Sequence, residues 1–148
     1  CIIVVNGGAR RQDSVFNALS WIQENIREVS KVLIHDAARP FIDKDLLDRL
    51  FSSVTNNDAV IPVIKSDDTL KKVNDNVVVS TLDRNEIVRV QTPQIFDFNI
   101  LFDCYNKLPK DITVTDDASV LEHFSKKVFC VEGSKKNIKV TYQDDIRS

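Results

Sequence analysis

Apolar residues along this chain alternate between short β-branched runs and longer stretches of helical spacing. Ile2-Ile3-Val4-Val5, closed by Asn6-Gly7-Gly8, predicts a buried strand that stops at a turn. Asp13 then offers a cap for a helix in which Val15, Ala18, Leu19, Ile22 and Ile26 share one face. Val32-Leu33-Ile34 predicts a second strand running into His35-Asp36-Ala37-Ala38-Arg39-Pro40, and a strand–helix–strand unit of this length implies a right-handed parallel crossover. Asp43 opens another amphipathic helix, with Leu46, Leu47, Leu50, Phe51 and Val54 on its apolar face. Ala59-Val60-Ile61-Pro62-Val63-Ile64 follows as a third strand, its Pro62 marking an edge or an irregularity. The βαβαβ order predicts an α/β fold with a doubly wound sheet.

Between Lys65 and Gln91 the rhythm changes. Thr69–Val73, Val77–Thr81 and Ile87–Val90 are short β-prone pieces separated by Asn74-Asp75-Asn76 and Leu82-Asp83-Arg84-Asn85, with no helix between them. They predict an antiparallel β-arm at about 66–90, outside the main sheet. Free strand edges need cover, and a second subunit supplies it most simply, so a homodimer is expected. Pro93 resets the chain before a helix over Asp97 to Lys107 carrying Ile100, Leu101 and Tyr105. Thr115 or Asp116 caps a further helix with Val120, Leu121 and Phe124 on one face. Strands are predicted at 127–131 and 138–141, with Gly133 breaking the first, and Arg147-Ser148 reads as the start of another helix. Residues 1–148 read as a single domain with no internal repeat or linker.

Composition narrows the class. The 148 residues are 43% hydrophobic and 28% charged, as in a soluble globular domain able to bury a core. With 20 Lys+Arg against 22 Asp+Glu, the net charge of −2 gives no general affinity for nucleic acid or for an anionic membrane. No apolar run approaches the ~20 residues of a membrane span. Cys1, Cys104 and Cys130 have neither disulfide-framework nor zinc-site spacing, which fits a reducing, cytoplasmic setting. The chain has no methionine and opens on Cys1 within an apolar run, so it reads as a piece lacking its N-terminus.

Ligands of open α/β sheets sit beyond the carboxyl ends of strands, which singles out Asp36 and Arg39. Gly7-Gly8 before a helix start suits close approach of backbone to a ligand, a tight turn with a routine cap being the simpler alternative. Ser14, Asp36, Arg39, Thr69, Arg84, Thr92, Thr115 and Lys139 stand at predicted strand ends or sharp turns. Cations and hydroxyls together make a phosphate site, and an isolated acid beside phosphates holds a divalent metal. Plainer roles compete: Asp36 tying down its own loop, Arg39 pairing with Asp43 or Asp45 on the surface, Arg84 in solvent, Lys139 on a solvated face with Lys135 and Lys136, His35 packed and hydrogen-bonded, His123 on the surface. No Ser-His-Asp order or metal-ligand spacing emerges.

Six blocks in order are more specific than any one of them. Gly7-Gly8-Ala9-Arg10-Arg11-Gln12-Asp13-Ser14-Val15, His35 to Pro40, Asp68-Thr69-Leu70-Lys71, Asp83-Arg84 with Gln91-Thr92-Pro93-Gln94, Thr115-Asp116-Asp117-Ala118-Ser119 with Glu122, and Glu132-Gly133 with Asn137-Ile138-Lys139-Val140-Thr141 resemble the 2-C-methyl-D-erythritol 4-phosphate cytidylyltransferases over nearly the whole chain. The resemblance implies a Rossmann-like nucleotidyltransferase sheet with a β-arm that interlocks two subunits. It implies transfer of CMP from CTP to the polyol phosphate with release of pyrophosphate, in the non-mevalonate route to isoprenoids, and Mg2+ as the metal. Gly8, Ala9, Ser14, Asp36 and Ala37 match nucleotide-binding positions, and Asp36 the metal region. Arg84 and Lys139 match the cations that position the acceptor phosphate, Arg84 reaching across from the partner's arm. Thr92 and Thr115 match hydroxyls near the same substrate, and Arg39 and Thr69 match lesser contacts. The family's Gly-rich triphosphate loop and its two basic residues have no counterpart here, so the chain alone is expected to be inactive or nearly so. Normal CTP-dependent pyrophosphate release by residues 1–148 would refute that expectation. The rival readings are a cytidylyltransferase for another polyol phosphate such as ribitol 5-phosphate, and a noncatalytic nucleotide-binding or dimerisation module. Plastid stroma replaces cytoplasm if the source bears plastids.

Overall fold

The computed structural model describes residues 2–146 and is built on a five-stranded mixed sheet with helices against both faces. In chain order the elements are α1 (Arg11–Asn25), β1 (Lys31–Ile34), α2 (Lys44–Val54), β2 (Ala59–Lys65), β3 (Lys71–Asn74), β4 (Val77–Thr81), β5 (Val88–Val90), β6 (Gln94–Asp97), α3 (Phe98–Lys107), α4 (Asp117–His123) and β7 (Phe129–Glu132). A 3-10 turn spans Gln143–Ile146. Cys1 and the helix start expected at Arg147-Ser148 lie outside the described residues.

The α/β class holds, but the sheet is wound differently from the βαβαβ expectation. Ile2–Val5 forms no strand, and Ile2 and Val4 are 94% and 91% exposed, so the first parallel crossover is not made. A β-branched run becomes a strand only where a neighbouring backbone pairs with it. The centre is held instead by β6, hidden in the sequence behind Pro93. It runs antiparallel to β1, from Lys31↔Asp97 to Ile34↔Gln94, and antiparallel to β2 through Ala59↔Phe96 and Val60↔Ile95. β7 lies parallel to β2.

That register divides the core. Ala59 and Phe96 face a cluster with Leu19 of α1, Leu101, Cys104 and Tyr105 of α3, and Val120 and Leu121 of α4. Val60 and Ile95 face Leu46, Leu50 and Val54 of α2 on the other side. Successive strand residues alternate between faces, so one pair of neighbouring strands serves both helix layers.

The arm is narrower than expected. β3 and β4 form a separate hairpin closed by Asp75 and Asn76, whose φ values of 47° and 64° make the mirror-image turn that suits hairpin twist. β5 instead pairs with β2 from Lys65↔Val88 to Val63↔Val90 and belongs to the main sheet. Val73, Val77, Val78 and Val79 of the hairpin are more than half exposed. The strand expected over Ile138–Thr141 is absent; that segment is fastened by a hydrogen bond from the Val140 N–H to the Ala38 carbonyl at 2.8 Å.

Candidate active site

β1 ends at Ile34, and the loop beyond it turns sharply, the Arg39 N–H bonding the Asp36 carbonyl at 3.0 Å. His35 braces this turn. Its Nε2–H donates to the Arg39 carbonyl at 2.8 Å, which leaves Nδ1 to accept from the Thr92 hydroxyl at 3.0 Å. The same hydroxyl accepts the Asp36 N–H at 2.9 Å. Thr92 is thereby buried and committed to the loop, and it precedes a cis peptide bond to Pro93.

Lys139 arrives on the segment after β7. Gln91 clips that segment in place: its amide donates to the carbonyls of Ser134 and Asn137, both at 2.9 Å, and accepts the Ser134 N–H at 3.0 Å. Fully buried Asn137 donates to the Thr92 carbonyl at 2.7 Å, and its own carbonyl accepts from Arg39 Nη1 at 2.9 Å. A Cβ at Gly133 would press on Gln91 Oε1 and crowd the Val63 carbonyl, so glycine lets the clip close.

The third wall comes from the N-termini of α1 and α4. Arg10 caps α1, and Asp13, expected as the cap, is instead the third helical residue, bonded back to the Arg10 N–H at 3.0 Å. Arg10 Nη1 and the Gln12 amide both donate to the Ile112 carbonyl, so the 110–114 loop is laced to α1. Asp116 caps α4 by accepting the Ser119 N–H at 3.0 Å, and fully buried Gln94 of β6 holds Asp116 from below at 2.9 Å. Arg11 therefore lies beside Asp117, Nη2 to Oδ2, at 2.7 Å.

These walls enclose a cavity of ≈ 490 Å³ lined by Arg11, Asp36, Arg39, Thr92, Thr115 and Lys139, with Gln91, Gln94, Asp116, Ser119 and Glu122 among its other lining residues. The Asp36 carboxylate faces three cations: Lys139 Nζ at 3.4 Å, Arg39 Nε at 3.9 Å and Arg11 Nη2 at 3.9 Å. Burial pulls the Arg39 guanidinium below its ordinary range, Asp36 opposing the shift in part. It remains charged, and its buried Nε–H has no hydrogen-bond partner among the described residues. A more apolar groove between β5 and β7 gathers none of the residues singled out in the sequence.

Of the residues singled out in the sequence, Asp36, Arg39, Thr92, Thr115 and Lys139 meet here. Gly8, Ala9 and Ser14 cluster at the start of α1, where the Gly8 N–H donates to Ser14 Oγ at 2.9 Å, outside the cavity lining. Ala37 is exposed beside Asp36, and Thr69 is exposed just past the bend that follows β2. Arg84 sits in the exposed turn between β4 and β5; Lys135 chiefly, then Arg89 and Arg84, hold the nearby Asp67 carboxyl below its ordinary range. Within one chain Arg84 does not line the cavity. Arg39 pairs with Asp36 rather than with Asp43 or Asp45. Arg11, Gln91 and Asp117 escaped the sequence reading, because each acts on a residue remote in the chain. Among the described residues no group of three His, Cys, Asp or Glu is placed to hold a metal ion.

Comparison with known proteins shows what the whole chain is similar to. The bifunctional IspD/IspF enzyme of Solidesulfovibrio magneticus is 45% identical over 148 residues, covering 99% of this chain and 36% of that protein. The 2-C-methyl-D-erythritol 4-phosphate cytidylyltransferase of Clostridium beijerinckii is 42% identical over 145 residues, covering 97% of this chain and 62% of that protein. The crystal structure of the Francisella tularensis 2-C-methyl-D-erythritol 4-phosphate cytidylyltransferase superposes with a TM-score of 0.85 at 38% identity, over 99% of this chain and 69% of that one. The chain thus spans less than two thirds of these two sequence relatives. A match to the family described as "IspD: 2-C-methyl-D-erythritol 4-phosphate cytidylyltransferase" extends over residues 1–148, and the chain belongs to that family.

Proposed function

We propose that the protein transfers CMP from CTP to 2-C-methyl-D-erythritol 4-phosphate with release of pyrophosphate, and that the Asp36–Lys139 cavity receives the acceptor's phosphate. The observation that carries this reading is the convergence of Lys139, Arg39 and Arg11 on one cavity, with the Arg39 Nε–H buried and unpartnered. A buried donor with no acceptor is costly, and a phosphate oxygen relieves that cost. The names of the relatives support the choice of substrates.

Attack of the acceptor's phosphate oxygen on the α-phosphorus of CTP brings two anions together. Fixed cations offset their repulsion and align the attack without having to reorganise as charge shifts. Lys139 supplies a mobile point charge and Arg39 a planar fork already anchored on the Asn137 carbonyl. Of the carboxylates lining the cavity, Asp36 would hold Mg2+, one carboxylate being enough for an ion held mainly by substrate phosphates and water. When bound there, the ion would neutralise charge on the triphosphate.

The exposed valines of the β3–β4 hairpin support a homodimer in which the partner subunit's Arg84 completes the site. Among the described residues no helix is long and apolar enough to cross a membrane. The proposed location, the cytoplasm, is supported by cysteines without disulfide-framework spacing. Calorimetric titration of the chain with 2-C-methyl-D-erythritol 4-phosphate, with ribitol 5-phosphate as comparator, tests the reading alongside CMP transfer from labelled CTP by the protein that carries this chain. Preferential binding and transfer to the methylerythritol phosphate are expected. Equal preference, or no binding of either, would contradict the proposal.

A further inference from the structure

Asp117 is fully buried, and both of its oxygens are taken: Tyr105 Oη donates to Oδ1 at 2.6 Å and Arg11 Nη2 to Oδ2 at 2.7 Å. Taking the Asp117 carboxylate out of water is costly, and an ion pair on a buried charge is weak evidence for added stability. Nor is it needed to tie α1 to the following layer, because Arg10 and Gln12 already bind the 110–114 loop. The pair is also lopsided. Asp117 is sealed, while the Arg11 side chain is 38% exposed and lines the cavity. Burial, the largest influence, works against the Arg11 charge, but Asp117 by hydrogen bond and charge, together with Asp36 and Tyr105, holds the guanidinium above its ordinary range. Burial first, then Asp117, drives the Tyr105 hydroxyl far up, so it stays a donor. With one edge of its fork engaged, Arg11 still has donors to offer.

We infer that Asp117, braced by Tyr105, is a positioning residue that holds Arg11 at the cavity wall as a third anion-binding group beside Arg39 and Lys139. The inference rests on the reading of this cavity as a phosphate site. It also explains why an acid at a helix start is sealed from water instead of remaining a solvated cap neighbour.

The test is side-chain NMR of arginine and lysine in this chain, titrated first with inorganic phosphate and then with 2-C-methyl-D-erythritol 4-phosphate. In the wild type, Arg11, Arg39 and Lys139 signals should shift together. Asp117→Asn should release Arg11, averaging its Nη signals, while Arg39 stays anchored on the Asn137 carbonyl, and affinity should fall roughly tenfold, as for loss of one charge-assisted contact. Arg11→Lys should lower affinity as well, since an ammonium cannot both pair with Asp117 and present a fork. If Asp117→Asn does not fold, Tyr105→Phe keeps the carboxylate and should loosen the same Arg11 signals in part. Shifts at Lys139 and Arg39 with none at Arg11 would overturn this inference alone. Unchanged Arg11 signals and affinity in a folded Asp117→Asn or Tyr105→Phe protein would do the same. Silence from all three cations would overturn the phosphate-site reading and this inference with it.

Discussion

Replacing Gln91 by alanine should loosen the segment that carries Lys139 while leaving the helices and the central strands in place. Gln91 is 6% exposed and makes the bonds to Ser134 and Asn137 that close the 133–139 segment over β5. At a net of about 0.5–1.5 kcal/mol for each of the three hydrogen bonds, their loss amounts to about 1.5–4.5 kcal/mol. The lower end is expected, because Asn137 keeps Arg39 as a partner and Ser134 is only half-buried, so water can satisfy it. Urea unfolding should therefore show a loss of about 2 kcal/mol with an unchanged m-value. Hydrogen exchange should show the Val140 amide, bonded to the Ala38 carbonyl, losing protection before amides of β2 and β6. Gly133→Ala should reproduce this pattern, since its Cβ meets Gln91 Oε1. A stability change below about 0.5 kcal/mol, the scale of an unremarkable surface substitution, together with unaltered Val140 protection, would refute the clip.

Lys139→Gln should weaken binding of 2-C-methyl-D-erythritol 4-phosphate by roughly tenfold in calorimetry, at the low end for a charge-assisted contact because the ammonium is half-exposed. Leu121→Ala, at a fully buried position between α4 and the sheet, should cost about 2–5 kcal/mol in urea unfolding and leave the cavity residues in place. The Asp43 carboxyl is held below its ordinary range, first by the Ser134 hydroxyl and then by the Leu46 amide that it caps. Its folded value lies below its unfolded one, so the stability it adds is present above the unfolded value and is lost as pH falls through the folded one. Between about pH 5 and pH 3 the urea midpoint of the wild type should fall more than that of Asp43→Asn, which still caps α2.

What the sequence revealed, and what it hid, follows from how local each signal is. α2 was legible because Leu46, Leu50 and Val54 repeat at helical spacing behind Asp43, and cap, period and burial all sit within a dozen residues. The start of α1 was misplaced because an acid near a helix start serves equally as cap or as third residue, and only the pairing of Asp13 with Arg10 decides. β6 is not legible in the sequence: Gln94-Ile95-Phe96-Asp97 is too short to show a period, and it is a strand because β1 and β2 flank it. Ile2–Val5 failed for the converse reason, a strand-like composition with no strand paired to it among the described residues. Asp36 and Arg39 were readable from a strand end. Lys139 stands at a predicted strand end too, but its neighbours Lys135 and Lys136 make it look equally like part of a solvated face, and the resemblance is what separates the two readings. Arg11 and Asp117 are 106 positions apart, and each alone looks like ordinary helix-terminal charge.

The most direct measurement is a crystal structure of this chain with 2-C-methyl-D-erythritol 4-phosphate. The account predicts the phosphate in the cavity beside Asp36, with Lys139 Nζ and Arg39 Nε donating to its oxygens. A phosphate bound elsewhere, with Arg39 Nε still unpartnered and Lys139 still turned to Asp36, would contradict it.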